Sequence, residues 1–247
     1  MEWPRPIIIA HRGASAYAPE NTIAAFKLAV DYRADAVELD AMLSQDGEVI
    51  VFHDVTVNRT TNGQGFVRDL TLEKLKKLDA GCFFSPGFTN ERIPTLAEVL
   101  EAFGHILYIN IELKNYSSPL DRLSEKVADI VKAHSLQDRV LISSFNPINL
   151  LKTRRILPHV PIALITMPGF FGKILESRLL QFISPQIIHP RFSNVDERFI
   201  HNQQKSGRRI HVWTVNTEED LHYMFANNID GVITDRPDLA RQILEEE

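Results

Sequence analysis

Short apolar runs recur along the chain and alternate with segments of helical periodicity. Nine runs, rich in Ile and Val and too short for independent helices, read as strands. They lie at 7–10, 36–43, 48–53, 106–113, 139–145, 161–166, 187–190, 210–215 and 231–235. The segments between them are amphipathic. In NTIAAFKLAVDY, Ile23, Phe26, Leu28 and Val30 lie near one stripe, with Asn21 or Thr22 in the N-cap position. TLAEVLEAF opens with Thr95 and Glu98, the spacing of a capping box. LDRLSEKVADIVKAH and TEEDLHYMFANN carry the same helical pattern.

Strand–helix alternation implies parallel strands joined by right-handed crossovers. Eight of the strands can be paired with a following helix, and a chain of 247 residues is the usual size of a (β/α)8 barrel. An open dinucleotide-binding sheet would need G-x-G-x-x-G after the first strand, where HRGASA stands instead. The expected fold class is therefore α/β, a (β/α)8 TIM barrel in one domain over 1–247. Residues 54–95 fit no minimal barrel. They read as a small insertion after the second strand region, at the catalytic mouth, with one short helix at 72–79 and several turns.

Composition narrows the partners. A net charge of −5 argues against a nucleic-acid surface, which needs clustered Lys and Arg. The apolar runs fall far below the roughly 18–20 residues that span a bilayer, so no stable membrane insertion is expected. The single cysteine, Cys82, excludes an internal disulfide and suits a reducing compartment. MEWPRP has no basic n-region, and a cytoplasmic location is the expectation.

Residues at the C-terminal ends of barrel strands face the active site. The first strand ends in His11 and Arg12, and the third run ends in His53. In VELD, Glu38 and Asp40 share a face opposite Val37 and Leu39. In NIELK, Asn110, Glu112 and Lys114 share a face opposite Ile109, Ile111 and Leu113. Each piece alone has a structural reading, as a salt bridge or a satisfied strand-end histidine. Together they bring three carboxylates inward from strands whose other faces are apolar. Unpaired, such charges cost several kcal/mol each (~3 or more). A hard divalent cation, Mg2+ or Ca2+, held by Glu38, Asp40 and Glu112 removes the difficulty. Histidine, with an ordinary pKa of ~6.5, suits His11 and His53 to acid–base work. Arg12 and Lys114 suit phosphate oxygens. The chemistry indicated is metal-assisted cleavage of a phosphate ester.

The motifs AHRGASAYAPENT, VELDAMLSQDGEVIVFHDVTVNRTTNGQG, RIPTL and IELK, with HVWTVN and DGVITDRP near the C-terminus, resemble the glycerophosphodiester phosphodiesterase family of bacterial cytoplasmic type. The likeness runs from the first strand to the last. It implies His11 and His53 as the acid–base pair, Glu38, Asp40 and Glu112 as metal ligands, and Arg12 and Lys114 as phosphate-binding residues. Trp213 matches an aromatic of the substrate pocket. Glu20 and Asn21 of PENT either orient Arg12 or cap the next helix, and the cap is the preferred reading; His189 and Asp235 read as structural. The implied reaction turns a small-molecule glycerophosphodiester into sn-glycerol 3-phosphate and an alcohol. Headgroup, choice of Mg2+ or Ca2+, assignment of acid and base, cyclic intermediate against direct water attack, and oligomeric state stay open. A lyase of the sphingomyelinase D type, a magnesium-dependent enolising enzyme and a catalytically inactive phosphate-binding barrel are the competing readings.

Overall fold

The computed structural model describes residues 3–246 apart from 116, 117, 119, 178–180 and 185. In chain order the elements are β1 (Ile7–His11), α1 (Ile23–Asp31), β2 (Ala36–Leu43), β3 (Val49–Val51), α2 (Leu72–Lys77), α3 (Leu96–Phe103), β4 (Tyr108–Leu113), α4 (Leu123–Ala133) and β5 (Val140–Ser144). There follow α5 (Pro147–Ile156), β6 (Ile162–Thr166), α6 (Phe170–Glu176), β7 (Ile187–Pro190), α7 (Glu197–Lys205), β8 (Arg209–Val212), α8 (Glu218–Ala226), β9 (Gly231–Thr234) and α9 (Pro237–Glu246).

Eight of these strands are parallel neighbours in the order β1-β2-β4-β5-β6-β7-β8-β9, and β9 pairs with β1 to close the ring. The fold is the expected TIM barrel with one extra strand. Alternation explains its layers, because successive side chains on a strand face opposite sides. Val37, Leu39, Ile109 and Ile111 point outward onto Phe26, Val99 and Val127 of the surrounding helices. Ile8, Ile210 and Val232 do the same against Leu221 and Ile243. Ile7, Ile9, Ala36, Leu141 and Ile233 point inward and fill the N-terminal half of the barrel beneath Trp3.

The extra strand differs from expectation. The run at 48–53 condenses to β3, which lies antiparallel to β2 with Val51 opposite Ala41. It is the return limb of a hairpin, so His53 reaches the mouth because the chain doubles back. The Phe52 amide donates to the Asp40 carbonyl at 2.8 Å, which sets His53 at the level of Asp40. The excursion 54–95 then packs Val57, Val67, Leu75 and Ile93 against Ile50 and Phe52 of the hairpin. Its helix, α2, ends at Lys77, two residues before the expected 79, where Leu78 turns extended.

The capping box on α3 is present, with Thr95 and Glu98 each bonded to the other's backbone N–H. On α1 the cap is Thr22, whose hydroxyl accepts from the Ala25 amide. Among the described residues no helix is long and apolar enough to cross a membrane.

Candidate active site

Barrel register assembles the mouth. His11 on β1 lies opposite Glu38 on β2. Glu38 in turn lies opposite Asn110 on β4, and Asp40 lies opposite Glu112. All of these residues share the inward parity of Ile9 and Ala36, one or two steps further along their strands. Glu38, Asp40 and Glu112 are buried, and each offers a carboxylate oxygen within 4.8 Å of the others. The sequence-derived trio is thus brought together.

The electrostatics of the trio are strained in one place. Burial, then Asp40 and Glu112, push the Glu38 carboxyl well above its usual range, and its Oε1 is buried with no hydrogen-bond partner. Burial also works against ionisation of Asp40, but Lys114, Arg12 and His53 hold it at about 2. Lys114 Nζ lies 3.1 Å from Glu112 Oε1 and 3.5 Å from Asp40 Oδ1. Arg12 Nε lies 3.3 Å from Asp40 Oδ2, and its Nη1 donates to Glu20 Oε1 at 2.9 Å. A hard cation fits this donor set, because three buried carboxylates converge and, with Lys114 and Arg12 in place, one Glu38 oxygen still has no partner.

Local backbone explains how Arg12 turns inward beside His11. Arg12 has φ 56° and Gly13 φ 85°, a sharp turn after the strand. A Cβ on Gly13 would meet the Ala25 carbonyl carbon at 2.6 Å, so only glycine allows α1 to approach this closely.

Both histidines are held by carboxylates. His11 Nδ1 bonds Asp235 Oδ1 at 2.6 Å, across 224 residues of sequence. Asp235 also accepts from Ser15 Oγ at 2.9 Å and Asn216 Nδ2 at 2.6 Å. Although burial opposes it, these bonds and the His11 contact hold Asp235 ionised down to about 2. His53 Nδ1 bonds Asp54 Oδ1 at 2.6 Å, and Asp54 is bound in turn by Arg59. The Arg59 hydrogen bond, against burial and with help from His53, brings Asp54 to about 2.

Two expectations are corrected here. Asp235, read as structural, is the hydrogen-bond partner of His11 in the mouth. Asn21 does not cap α1; with φ 60° it turns its amide onto Asp40, donating from Nδ2 to Oδ2 at 2.8 Å. Glu20 binds Arg12 as the alternative reading allowed, and it also binds Arg59. His189 is buried, its Nε2 unpartnered, and burial beside His211 keeps it neutral.

A cavity of about 240 Å³ opens among these groups. One wall is charged, formed by His11, Arg12, Glu38, His53, Glu112 and Lys114. The other is apolar, formed by Phe145, Ile165, Met167, Trp213 and Ile233. Trp213 stands edge-on to Phe145 at 5.7 Å, and its Nε1 donates to the His189 carbonyl at 2.9 Å. A larger hollow of about 710 Å³ lies at the opposite end of the barrel, around Trp3, Arg5 and Arg208, and contains none of the acidic trio.

A split pocket of this kind suits a small anion with a carbon skeleton, and similarity to known proteins agrees. The model of the "Glycerophosphoryl diester phosphodiesterase family" matches residues 11–239. The chain belongs to that family. The glycerophosphodiester phosphodiesterase of Caldanaerobacter subterraneus subsp. tengcongensis is 41% identical over 95% of this chain and 96% of its own length. That of Bacillus altitudinis is 37% identical over 97% and 98%. Among solved structures, an Oleispira antarctica phosphodiesterase in complex with the product sn-glycerol-3-phosphate superposes with TM-score 0.87. It is 31% identical, covering 98% of this chain and 97% of that one.

Within this glycerophosphoryl diester phosphodiesterase, sequence reasoning missed Asp235, Asp54, Arg59 and Asn216 as participants in the mouth. HD, read as one unit, carried a signal for Asp54. Asp235 and Asn216 carried none, because their relevance depends on which strands become neighbours.

Proposed function

We propose that this phosphodiesterase hydrolyses glycerophosphodiesters to sn-glycerol 3-phosphate and an alcohol in the mouth cavity, with a divalent cation on Glu38, Asp40 and Glu112. The observation that carries the reading is the buried carboxylate trio with its unpartnered Glu38 oxygen, set between two carboxylate-backed histidines. The sn-glycerol-3-phosphate bound by the Oleispira relative supports the same product here.

Arg12 and Lys114 receive the phosphodiester oxygens, Arg12 through its planar fork. When bound, the cation supplies further neutralisation of phosphoryl charge. Asp235 and Asp54 occupy the Nδ1 atoms of His11 and His53, which leaves each Nε2 for the reaction. One Nε2 takes a proton from the nucleophile as the new P–O bond forms; the nucleophile is water itself, or the glycerol 2-hydroxyl, whose cyclic phosphate water then opens. The other gives a proton to the alcohol oxygen as the old P–O bond breaks. The apolar wall at Phe145 and Trp213 receives the carbon skeleton.

The test is release of glycerol 3-phosphate from glycerophosphocholine, with and without chelator. Wild type is expected to lose turnover in chelator, and His11→Ala and His53→Ala to lose about 10²–10⁴-fold in kcat. Full activity in chelator removes the cation assignment. Undiminished turnover by either alanine variant removes the acid–base pair, and accumulation of a cyclic phosphate as sole product turns the reading toward a lyase.

A further inference from the structure

We propose that Arg59, on the excursion, is a positioning residue that locks the His53 dyad to the Arg12 phosphate clamp; this rests on the acid–base reading of His53. Arg59 grips two carboxylates at once. Its Nε and Nη2 donate to Asp54 at 2.6 and 3.0 Å. Its Nη1 and Nη2 donate to Glu20 at 2.8 Å each. Asp54 holds His53 Nδ1, and Glu20 holds Arg12 Nη1. One guanidinium therefore ties together the supports of two side chains that line the charged wall of the cavity.

The arrangement has an electrostatic consequence. Arg12 and Arg59 balance Glu20 and Asp54, two cations against two carboxylates. Without Arg59 the pair of carboxylates would leave one net negative charge beside the place where an anionic phosphodiester binds. A lysine would restore that charge but not the geometry, because an ammonium is a point and only a planar fork bonds two carboxylates edge-on.

A purely structural role is a poor account of these bonds. The Arg59 side chain is 48% exposed, and ion pairs at that exposure contribute little to stability. The excursion is anchored without the guanidinium. Val57, Thr60 and Thr61 are buried, the Thr61 hydroxyl donates to the Val57 carbonyl at 2.6 Å, and Gly63 N–H donates to Thr61 Oγ1 at 3.0 Å. Removing the guanidinium leaves that scaffold in place.

The experiment compares wild type, Arg59→Ala, Arg59→Lys, His53→Ala and the Arg59→Ala/His53→Ala double variant on glycerophosphocholine, with melting temperatures alongside. Arg59→Ala is expected to melt within a few degrees of wild type, to lose about tenfold or more in kcat, and to raise KM several-fold. Arg59→Lys should recover most of KM and little of kcat. In the His53→Ala background, Arg59→Ala should change kcat by less than about twofold. A wild-type kcat and KM in Arg59→Ala overturns the assignment, as does a kcat loss that persists undiminished without His53. Should Arg59→Ala fail to fold, a wild-type kcat in Arg59→Lys overturns it instead. If His53→Ala itself turns over normally, the acid–base reading has failed; if His53→Ala is inactive and Arg59→Ala is normal, only the Arg59 assignment has.

Discussion

The inside of the barrel has two halves with opposite physics. On the N-terminal side Ile7, Ile9, Ala36 and Leu141 pack with Trp3 in an apolar cluster. One or two steps along the same strand faces stand His11, Glu38, Glu112 and Asp235. Glu38, Asn110 and His189 each keep a buried polar atom without a partner in this upper half. The lower half lowers the free energy of folding by removing apolar surface from water. At Glu38 the upper half raises it, holding a carboxyl against Asp40 and Glu112 with one buried oxygen unpartnered. Stability and activity are thereby separated along one set of strands.

The separation breaks most sharply at Glu38. Glu38→Gln should abolish hydrolysis by about a hundredfold or more, yet raise the melting temperature of the ion-free protein by a few degrees. Added Mg2+ or Ca2+ should raise the melting point of wild type and leave that of the variant unmoved. A fluorimetric melt with and without chelator checks both parts, and a lower ion-free melting point in the variant contradicts the account. The mirror experiment is Leu141→Ala in the lower half. Leu141 is fully buried, so its loss should cost about 2–5 kcal/mol in urea unfolding while kcat at 25 °C stays within about twofold of wild type. A large kcat defect there would mean that the two halves are not independent.

Asp235 sharpens the comparison because it is an upper-half charge that is fully partnered. Its carboxyl is held at about 2 in the folded chain, below the ordinary value of ~3.9. Folding therefore gains from its ionisation above about pH 4, and loses that gain as pH falls from about 4 toward 2. Asp235→Asn should be about 2 kcal/mol less stable than wild type at pH 6, and the gap should narrow at pH 3. Unfolding curves at both pH values check the sign; a gap that widens in acid rejects it. The smallest effect belongs to a cap remote from the mouth. Thr95→Ala removes one half of the α3 capping box and should cost about 1 kcal/mol with unchanged kinetics.

Much of this was readable along the chain. Period-two alternation put Glu38, Asp40 and Glu112 inward, because a pleated strand leaves no choice once Val37, Leu39, Ile109 and Ile111 are taken into the outer core. PENT departs from expectation at one residue. Asn21 and Thr22 are both good caps, and only Thr22 can hold the position once Asn21 takes φ 60° to reach Asp40. The run at 48–53 looked like any other strand, and the hairpin that reverses it depends on pairing with β2. In 54–95, with few periodic positions, no pattern foretold that Arg59 would meet Glu20, 39 residues away.

What the chain carries in its own order is the choice of face for each side chain, since that follows from the pleat and from neighbours one or two residues distant. What it does not carry is the company each side chain keeps. Asp235 meets His11 only because β9 closes onto β1, and three carboxylates crowd one point only because β2 and β4 stand in register. Those contacts come from strand pairing across the whole barrel, a long-range free-energy balance that no local stretch of residues contains.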